Sequence, residues 1–145
     1  MIKKKILHII TSIDNGGAEN HLYDLISQQV KIYDVFLIYF KGSNYHRNNL
    51  VHKGVKIFKV NFTNKNALLF VIKFLEVLNI YKKIKPEIVH CHLWISELYG
   101  LLLKLLYRKS FFFVITKHLD SFIFEGSFGR NFFLRGIFLE KIILN

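Results

Sequence analysis

Short apolar runs rich in β-branched and aromatic residues alternate with longer stretches of helical periodicity along the chain. The short runs predict five strands, at Ile6–Thr11, Tyr33–Phe40, Val55–Val60, Glu87–His92 and Phe111–Thr116. The longer stretches predict helices at Ala18–Val30, Asn64–Ile84, Trp94–Tyr107 and Asn131–Ile143, with a polar loop over Ser43–Gly54. Because strands that alternate with helices are joined by right-handed crossovers, we predict an α/β fold with a doubly wound parallel sheet of order 3-2-1-4-5.

Length and composition indicate one globular domain over residues 1–145, since 52% of the residues are hydrophobic. The single cysteine, Cys91, excludes a disulfide framework and favours a reducing compartment. No apolar run reaches the ~20 residues of a membrane-spanning helix. The N-terminus resembles a signal peptide, because the basic residues Lys3–Lys5 precede an apolar run. That run is followed by Asp14–Gly17 and not by a small-residue cleavage site, so we expect no signal peptide. The chain is therefore expected to be cytoplasmic.

The formal net charge of +11 fits three kinds of partner: nucleic acid, an anionic membrane surface, or phosphorylated substrates. The basic residues are scattered, and Lys, Ile, Asn, Phe and Tyr, all encoded by A/T-rich codons, are abundant together. Base composition alone can therefore account for part of the charge. We expect no nucleic-acid partner, and an anionic membrane surface stays an alternative partner.

Gly16 and Gly17 follow the first predicted strand, where a doubly wound sheet binds its ligands. Glycines before a helix let a ligand approach the backbone, and the helix N-terminus favours an anion such as phosphate. The alternative is a tight turn that needs glycine for its dihedral angles. The loop lacks both the G-x-G-x-x-G dinucleotide fingerprint and the G-x-x-x-x-G-K-[ST] pattern, which excludes an ordinary P-loop NTPase.

Histidines mark the ends of the fourth and fifth predicted strands. His90 and His92 share one face of their strand, but a metal site would need further ligands from His118 or Asp120. Buried histidines held by hydrogen bonds are more common, so we expect no metal. His118 follows a strongly apolar strand and is a candidate proton donor or hydrogen-bond partner for a ligand hydroxyl. The alternative is that His118 only braces its loop.

Three segments together resemble the N-terminal domain of glycosyltransferase family 4, a group of retaining enzymes with the two-domain GT-B fold. They are KILHIITSIDNGGAENHLYDL at the first strand, KPEIVHCHLW at the fourth and VITKHLD at the fifth. The resemblance implies a Rossmann-like N-terminal half of a GT-B fold, on the acceptor side. It also implies glycosyl transfer from a nucleotide sugar. We expect no cofactor and, as argued above, no metal.

The resemblance also implies roles for residues at the strand ends. Gly16 and Gly17 match the loop near the donor diphosphate, and His118 matches the catalytic histidine that reaches the donor sugar. Cleft-lining or acceptor positions are expected at Asn15, Glu19, His92, Lys117 and Asp120. In retaining members the leaving phosphate assists the incoming hydroxyl, which agrees with the lack of a paired-carboxylate site in this sequence.

The chain departs from the family pattern at its end. Family members continue into a donor-binding domain with an acidic E-x7-E motif, whereas this sequence stops at Asn145. We therefore expect an incomplete N-terminal part, inactive by itself, of an enzyme of cell-surface polysaccharide, lipopolysaccharide or glycolipid assembly. Its partners would be a nucleotide-sugar donor and a lipid-linked or saccharide acceptor, with peripheral contact to the inner membrane face. The alternatives are a non-catalytic scaffold domain and an unrelated flavodoxin-like nucleotide-binding domain.

Overall fold

The computed structural model describes residues 3–43, 45–61 and 67–117. Its strands are β1 (Lys4–Ser12), β2 (Tyr33–Lys41), β3 (Lys56–Lys59), β4 (Ile88–His92) and β5 (Phe112–Thr116). Its helices are α1 (Gly17–Gln29), α2 (Arg47–His52), α3 (Ala67–Ile84) and α4 (Trp94–Leu106). The strands form one five-stranded parallel sheet of order β3-β2-β1-β4-β5. This confirms the predicted fold class and strand order.

The central strands β1, β2 and β4 are buried on both faces, which explains why they appear in the sequence as continuous apolar runs. The edge strands β3 and β5 are partly exposed. One face packs against α3 and α4, and alternate strand residues supply it: Leu7, Ile9, Phe36, Ile38, Val89 and Cys91. The residues between them point to the other face and meet α1 and α2: Ile6, Ile10, Val35 and Leu37. The same alternation places His8, His90 and His92 on the α1 side.

The polar stretch Ser43–Gly54 was expected to be a loop, and that prediction is wrong because it contains α2. This helix has six residues, and among them only Leu50 is buried. A helix this short with one apolar contact shows no periodicity in the sequence. The predicted helix at Asn131–Ile143 lies outside the described residues.

The sheet's central strands begin and end close to their predicted positions. β1 is longer than its apolar run because Lys4 and Lys5 pair with Tyr33 and Asp34 through the backbone, which needs no apolar side chain. Within the described part of the chain, no helix has the length and hydropathy that crossing a bilayer requires.

Helix α4 approaches the sheet very closely at Gly100. A Cβ at this position would lie under 3.0 Å from Cys91 Sγ and from the Phe113 ring, so only glycine fits without displacing them. Burial, with a smaller contribution from Glu97, raises the pKa of the Cys91 thiol well above its usual range. Cys91 is thus a core residue and not a nucleophile.

Candidate functional site

The carboxyl ends of β1, β4 and β5 lie side by side at one edge of the sheet. In the register, His92 pairs with Ile10 on one side and with Thr116 on the other. The loops that follow these strands therefore leave from the same edge. They carry Gly16 and Gly17 after β1 and Lys117 after β5, as the sequence predicted.

Gly16 is the N-cap of α1 and has an extended backbone, with φ −127° and ψ 170°. Any residue adopts such angles, so the alternative of a turn that needs glycine for its dihedral angles does not apply at Gly16. A Cβ here would meet the Glu19 carboxylate, the end of a flexible side chain that would have to shift to make room. Gly17, at the first helical position, has nothing within 4 Å of a Cβ and is exposed.

The Glu19 side chain folds back under the N-terminus of α1. Its Oε1 accepts a hydrogen bond from the Ser12 hydroxyl at the end of β1, which places the other oxygen beside Gly16. A helix leaves its first backbone N–H groups without intrahelical partners, and its dipole attracts negative charge there. The Glu19 carboxylate supplies one such negative charge. A phosphate bound at the N-terminus of α1 would therefore lie next to this carboxylate.

A second loop is tied to the glycine loop through Asp14. Its carboxylate accepts hydrogen bonds from the backbone N–H and the hydroxyl of Ser43, the latter at 2.6 Å. Gly42 has φ +115°, in the left-handed region that favours glycine, and a Cβ there would overlap Asp14. The β2–α2 connection is thus held against the β1–α1 connection, a contact that sequence reasoning did not identify.

A hydrogen bond between Asn20 and His46 also joins helix α1 to the β2–α2 connection. His46 Nε2 lies 2.7 Å from Asn20 Oδ1, and the amide of Asn20 also donates to Asn15 Oδ1 at 3.1 Å. The His46 ring stacks on Tyr23 of α1, with centroids 4.8 Å apart. Asn15, expected to line the cleft, is exposed at the rim of this network.

His92 was expected to line the cleft, but its side chain is fully buried, 0% exposed, and faces the α1 side of the sheet. The next residue, Leu93, has φ +70° and ψ 149°, angles that cost a non-glycine residue about 1–3 kcal/mol. This sharp turn leads directly into α4, and the Ser96 hydroxyl donates to the carbonyl oxygens of His92 and Leu93. Strained residues of this kind are concentrated at functional sites.

Three histidines meet on the α1 side of the sheet. His8 lies opposite His90 in the β1–β4 register, and His8 Nδ1 is 3.2 Å from His92 Nε2. Outer partners hold two of the rings: His8 Nε2 lies 2.7 Å from Gln29 Oε1, and His90 Nε2 lies 2.7 Å from Thr116 Oγ1. In the sequence analysis, a metal site at His90 and His92 needed further ligands from His118 or Asp120. The structure instead places His8 beside these two histidines.

Burial lowers the pKa of His8 from 6.5 to about 3, with a smaller contribution in the same direction from His90; the bond to Gln29 opposes both. His8 is therefore neutral at ordinary pH. Its Nε2 carries the proton when Gln29 presents its carbonyl oxygen, and Nδ1 then presents a lone pair toward His92.

Lys117 directly follows β5 and is half-buried. His118 and Asp120, which were expected to complete the site, lie outside the described residues. A separate surface groove lies near the amino end of β4 and is lined by Tyr81, Lys85, Pro86 and Glu87, among others. That is the opposite edge of the sheet from the one where doubly wound folds bind their ligands.

The chain is similar to known glycosyltransferases. The model of Glycosyltransferase Family 4 matches residues 15–142. No curated protein is significantly similar to the chain. A glycosyltransferase from Rickettsia africae ESF-5 superposes with a TM-score of 0.57 at 18% identity, over 83% of this chain and 32% of that one. CalG4, the calicheamicin glycosyltransferase, superposes with a TM-score of 0.58 at 12% identity, over 94% of this chain and 38% of that one. The chain thus spans about a third of the length of these structures, which share its fold.

We predict that the metal-free protein, kept in EDTA, loses stability as the pH falls below about 6.5. The folded-state pKa of His8 lies below its unfolded value, so the unfolded chain takes up a proton first. The contribution of His8 is complete above pH 6.5 and is lost progressively toward pH 3, by up to about 1.4 kcal/mol per pH unit. Urea unfolding between pH 6.5 and 5 measures this loss of unfolding free energy. Most carboxylates titrate below this pH interval and contribute little to the change.

The His8→Gln variant should show a flatter dependence of unfolding free energy on pH, because glutamine does not titrate. His52→Gln, at an exposed position of α2, serves as the control and should keep the wild-type slope. Equal slopes in wild type and His8→Gln would contradict the assignment.

Proposed function

The chain belongs to glycosyltransferase family 4, and from that premise we propose that it is the acceptor-side half of an enzyme that transfers a sugar from a nucleotide donor to an acceptor. The observation that carries the proposal is the family match over residues 15–142, which includes the glycine loop and strands β2 to β5. The fold shared with two glycosyltransferase structures supports it. A donor-binding domain is required to close the cleft.

The donor diphosphate is proposed to lie at the N-terminus of α1, against the backbone of Gly16 and Gly17. Three features support this position: the switch point beside β1, the open space around Gly17 and the dipole of a 13-residue helix. Glu19 is proposed to swing away from Gly16 or to bind the acceptor when the diphosphate arrives. Its bond to Ser12 gives it a defined resting position.

The reaction itself is proposed to need no nucleophile from this chain. His118, the residue after Lys117, is proposed to hydrogen-bond the donor sugar, while an oxygen of the leaving diphosphate takes the proton of the incoming hydroxyl. Asn15, Lys117 and Asp120 are proposed acceptor contacts. Thr116, the last residue of β5, precedes His118 by two positions in the sequence, and its hydroxyl oxygen lies 2.7 Å from His90 Nε2.

We further propose that the protein acts peripherally on an anionic membrane, on the inner face, where lipid-linked acceptors for surface polysaccharides are assembled. Helix α3 exposes Val71, Ile72 and Leu75 on its outer side, and the same side continues to Lys82 and Lys83. An apolar stripe next to cations suits a bilayer with acidic headgroups. Sedimentation with phosphatidylglycerol vesicles tests this, and equal binding by Lys82→Glu/Lys83→Glu would contradict it.

We predict that Glu19→Gln strengthens pyrophosphate binding about 3- to 10-fold, because it removes a negative charge beside the anion site while glutamine can still accept from Ser12. The amide resonances of Gly16 and Gly17 should report the titration in NMR spectra. Asp24→Asn, on an exposed position of the same helix, makes the same change in net charge away from the site. If both variants bind pyrophosphate more tightly by the same factor, the effect comes from net charge alone, which would contradict an anion site beside Glu19.

We predict that His118→Ala lowers turnover about 10²-fold or more in a glycosyltransferase containing residues 1–145 together with a donor-binding domain. The reason is the loss of a fixed hydrogen bond that strengthens in the transition state. The measurement is the turnover number at saturating donor, beside the melting temperature. His52→Ala is the matched control and should keep full activity.

A histidine that only braces its loop would give a different pattern. His118→Ala would then lower the melting temperature and change the rate modestly. A normally folded His118→Ala variant with the wild-type turnover number would contradict a role for His118 in the site.

A further inference from the structure

The cluster of His8, His90 and His92 has a geometry that the sugar-transfer proposal does not use. The ring centroids lie 4.1 Å apart for His90 and His92, 5.1 Å for His8 and His90, and 5.5 Å for His8 and His92. One ring nitrogen from each residue can be chosen so that all three lie within 4.8 Å of one another. We propose that these three histidines bind a divalent transition-metal ion, with Zn²⁺ as the preferred occupant.

The spacing of two of the nitrogens already matches a zinc site. Zinc lies about 2.0–2.1 Å from a histidine nitrogen, so two ligands of a tetrahedral site are about 3.4 Å apart. His8 Nδ1 and His92 Nε2 are separated by 3.2 Å. The three ligand atoms lie within 4.8 Å of one another, so the His90 nitrogen reaches the spacing of a zinc site through small changes in its side-chain torsions.

Outer hydrogen bonds orient two of the rings for coordination. Gln29 Oε1 lies 2.7 Å from His8 Nε2, and Thr116 Oγ1 lies 2.7 Å from His90 Nε2. Zinc-bound histidines typically donate their second ring N–H to such an oxygen, which fixes the tautomer and turns the other nitrogen toward the metal. In this arrangement Nδ1 of both His8 and His90 is the ligand atom, and Nε2 of His92 is the third.

The composition of the cluster selects the kind of ion. Three imidazoles without a carboxylate suit zinc and related transition metals, while Ca²⁺ and Mg²⁺ require oxygen ligands. His8 and His92 are 0% exposed and His90 is 7% exposed. A water molecule is the expected fourth ligand, and the burial means that the ion enters through local opening of the sheet–α1 layer, so binding should be slow.

The test is metal binding by the whole chain, stripped with EDTA, exchanged into chelator-free buffer and then equilibrated with Zn²⁺ or with Co²⁺ as a coloured probe. We expect one Zn²⁺ per chain after dialysis, visible absorption typical of tetrahedral Co²⁺, and a higher melting temperature with Zn²⁺. His8→Gln should lose the absorption and the stoichiometric ion. His52→Gln, which removes an exposed histidine, should keep both.

A second pair of variants leaves the ligands intact. Gln29→Met removes the partner of His8 Nε2 and should weaken Zn²⁺ binding about 10- to 100-fold. Gln28→Met, at the preceding and exposed position of α1, should bind as the wild type does. A wild-type protein that retains no Zn²⁺ after dialysis overturns the proposal, as does Zn²⁺ binding that His8→Gln and Gln29→Met leave unchanged. Because the measurement is of metal and not of sugar transfer, its failure leaves the proposed function standing.

Discussion

Strand β1 pairs in parallel with β2 on one side and with β4 on the other, and the rest of the described structure depends on this double pairing. The order of the sheet reverses at β1, so the crevice beside its carboxyl end is open to a ligand. The register that joins β1 to β4 also sets His8 opposite His90. One backbone ladder therefore positions both the glycine loop at the sheet's edge and the histidine cluster inside it.

The sequence was sufficient to predict the sheet, because buried parallel strands have a strong and simple pattern of apolar runs. It was not sufficient for α2, which has a single buried residue. Nor did it identify His8 as a member of the histidine cluster, since 84 residues separate His8 from His92 and only the strand register brings them together. For Gly16 the sequence offered two explanations, close approach of a ligand or a turn that needs glycine, and the extended backbone excludes the second. The contact between Gly16 and the Glu19 carboxylate depends on a side-chain position that no local pattern encodes.

The proposed donor site has an electrostatic conflict at its centre. The N-terminus of α1 attracts a phosphate, yet the Glu19 carboxylate, held by Ser12, occupies the same place. A carboxylate that leaves when the diphosphate arrives would couple donor binding to a change at the acceptor side of the cleft. The chain spans about a third of the length of the two glycosyltransferase structures that share its fold, and in the proposed enzyme it would form one wall of the cleft.

The most direct test of this account is a crystal structure of the chain with a nucleoside diphosphate bound. We expect the two phosphates to lie at the N-terminus of α1, in contact with the backbone N–H groups of Gly16 and Gly17, with Glu19 turned away from Gly16. Phosphates bound instead in the groove of Tyr81, Lys85 and Pro86, at the opposite edge of the sheet, would contradict it.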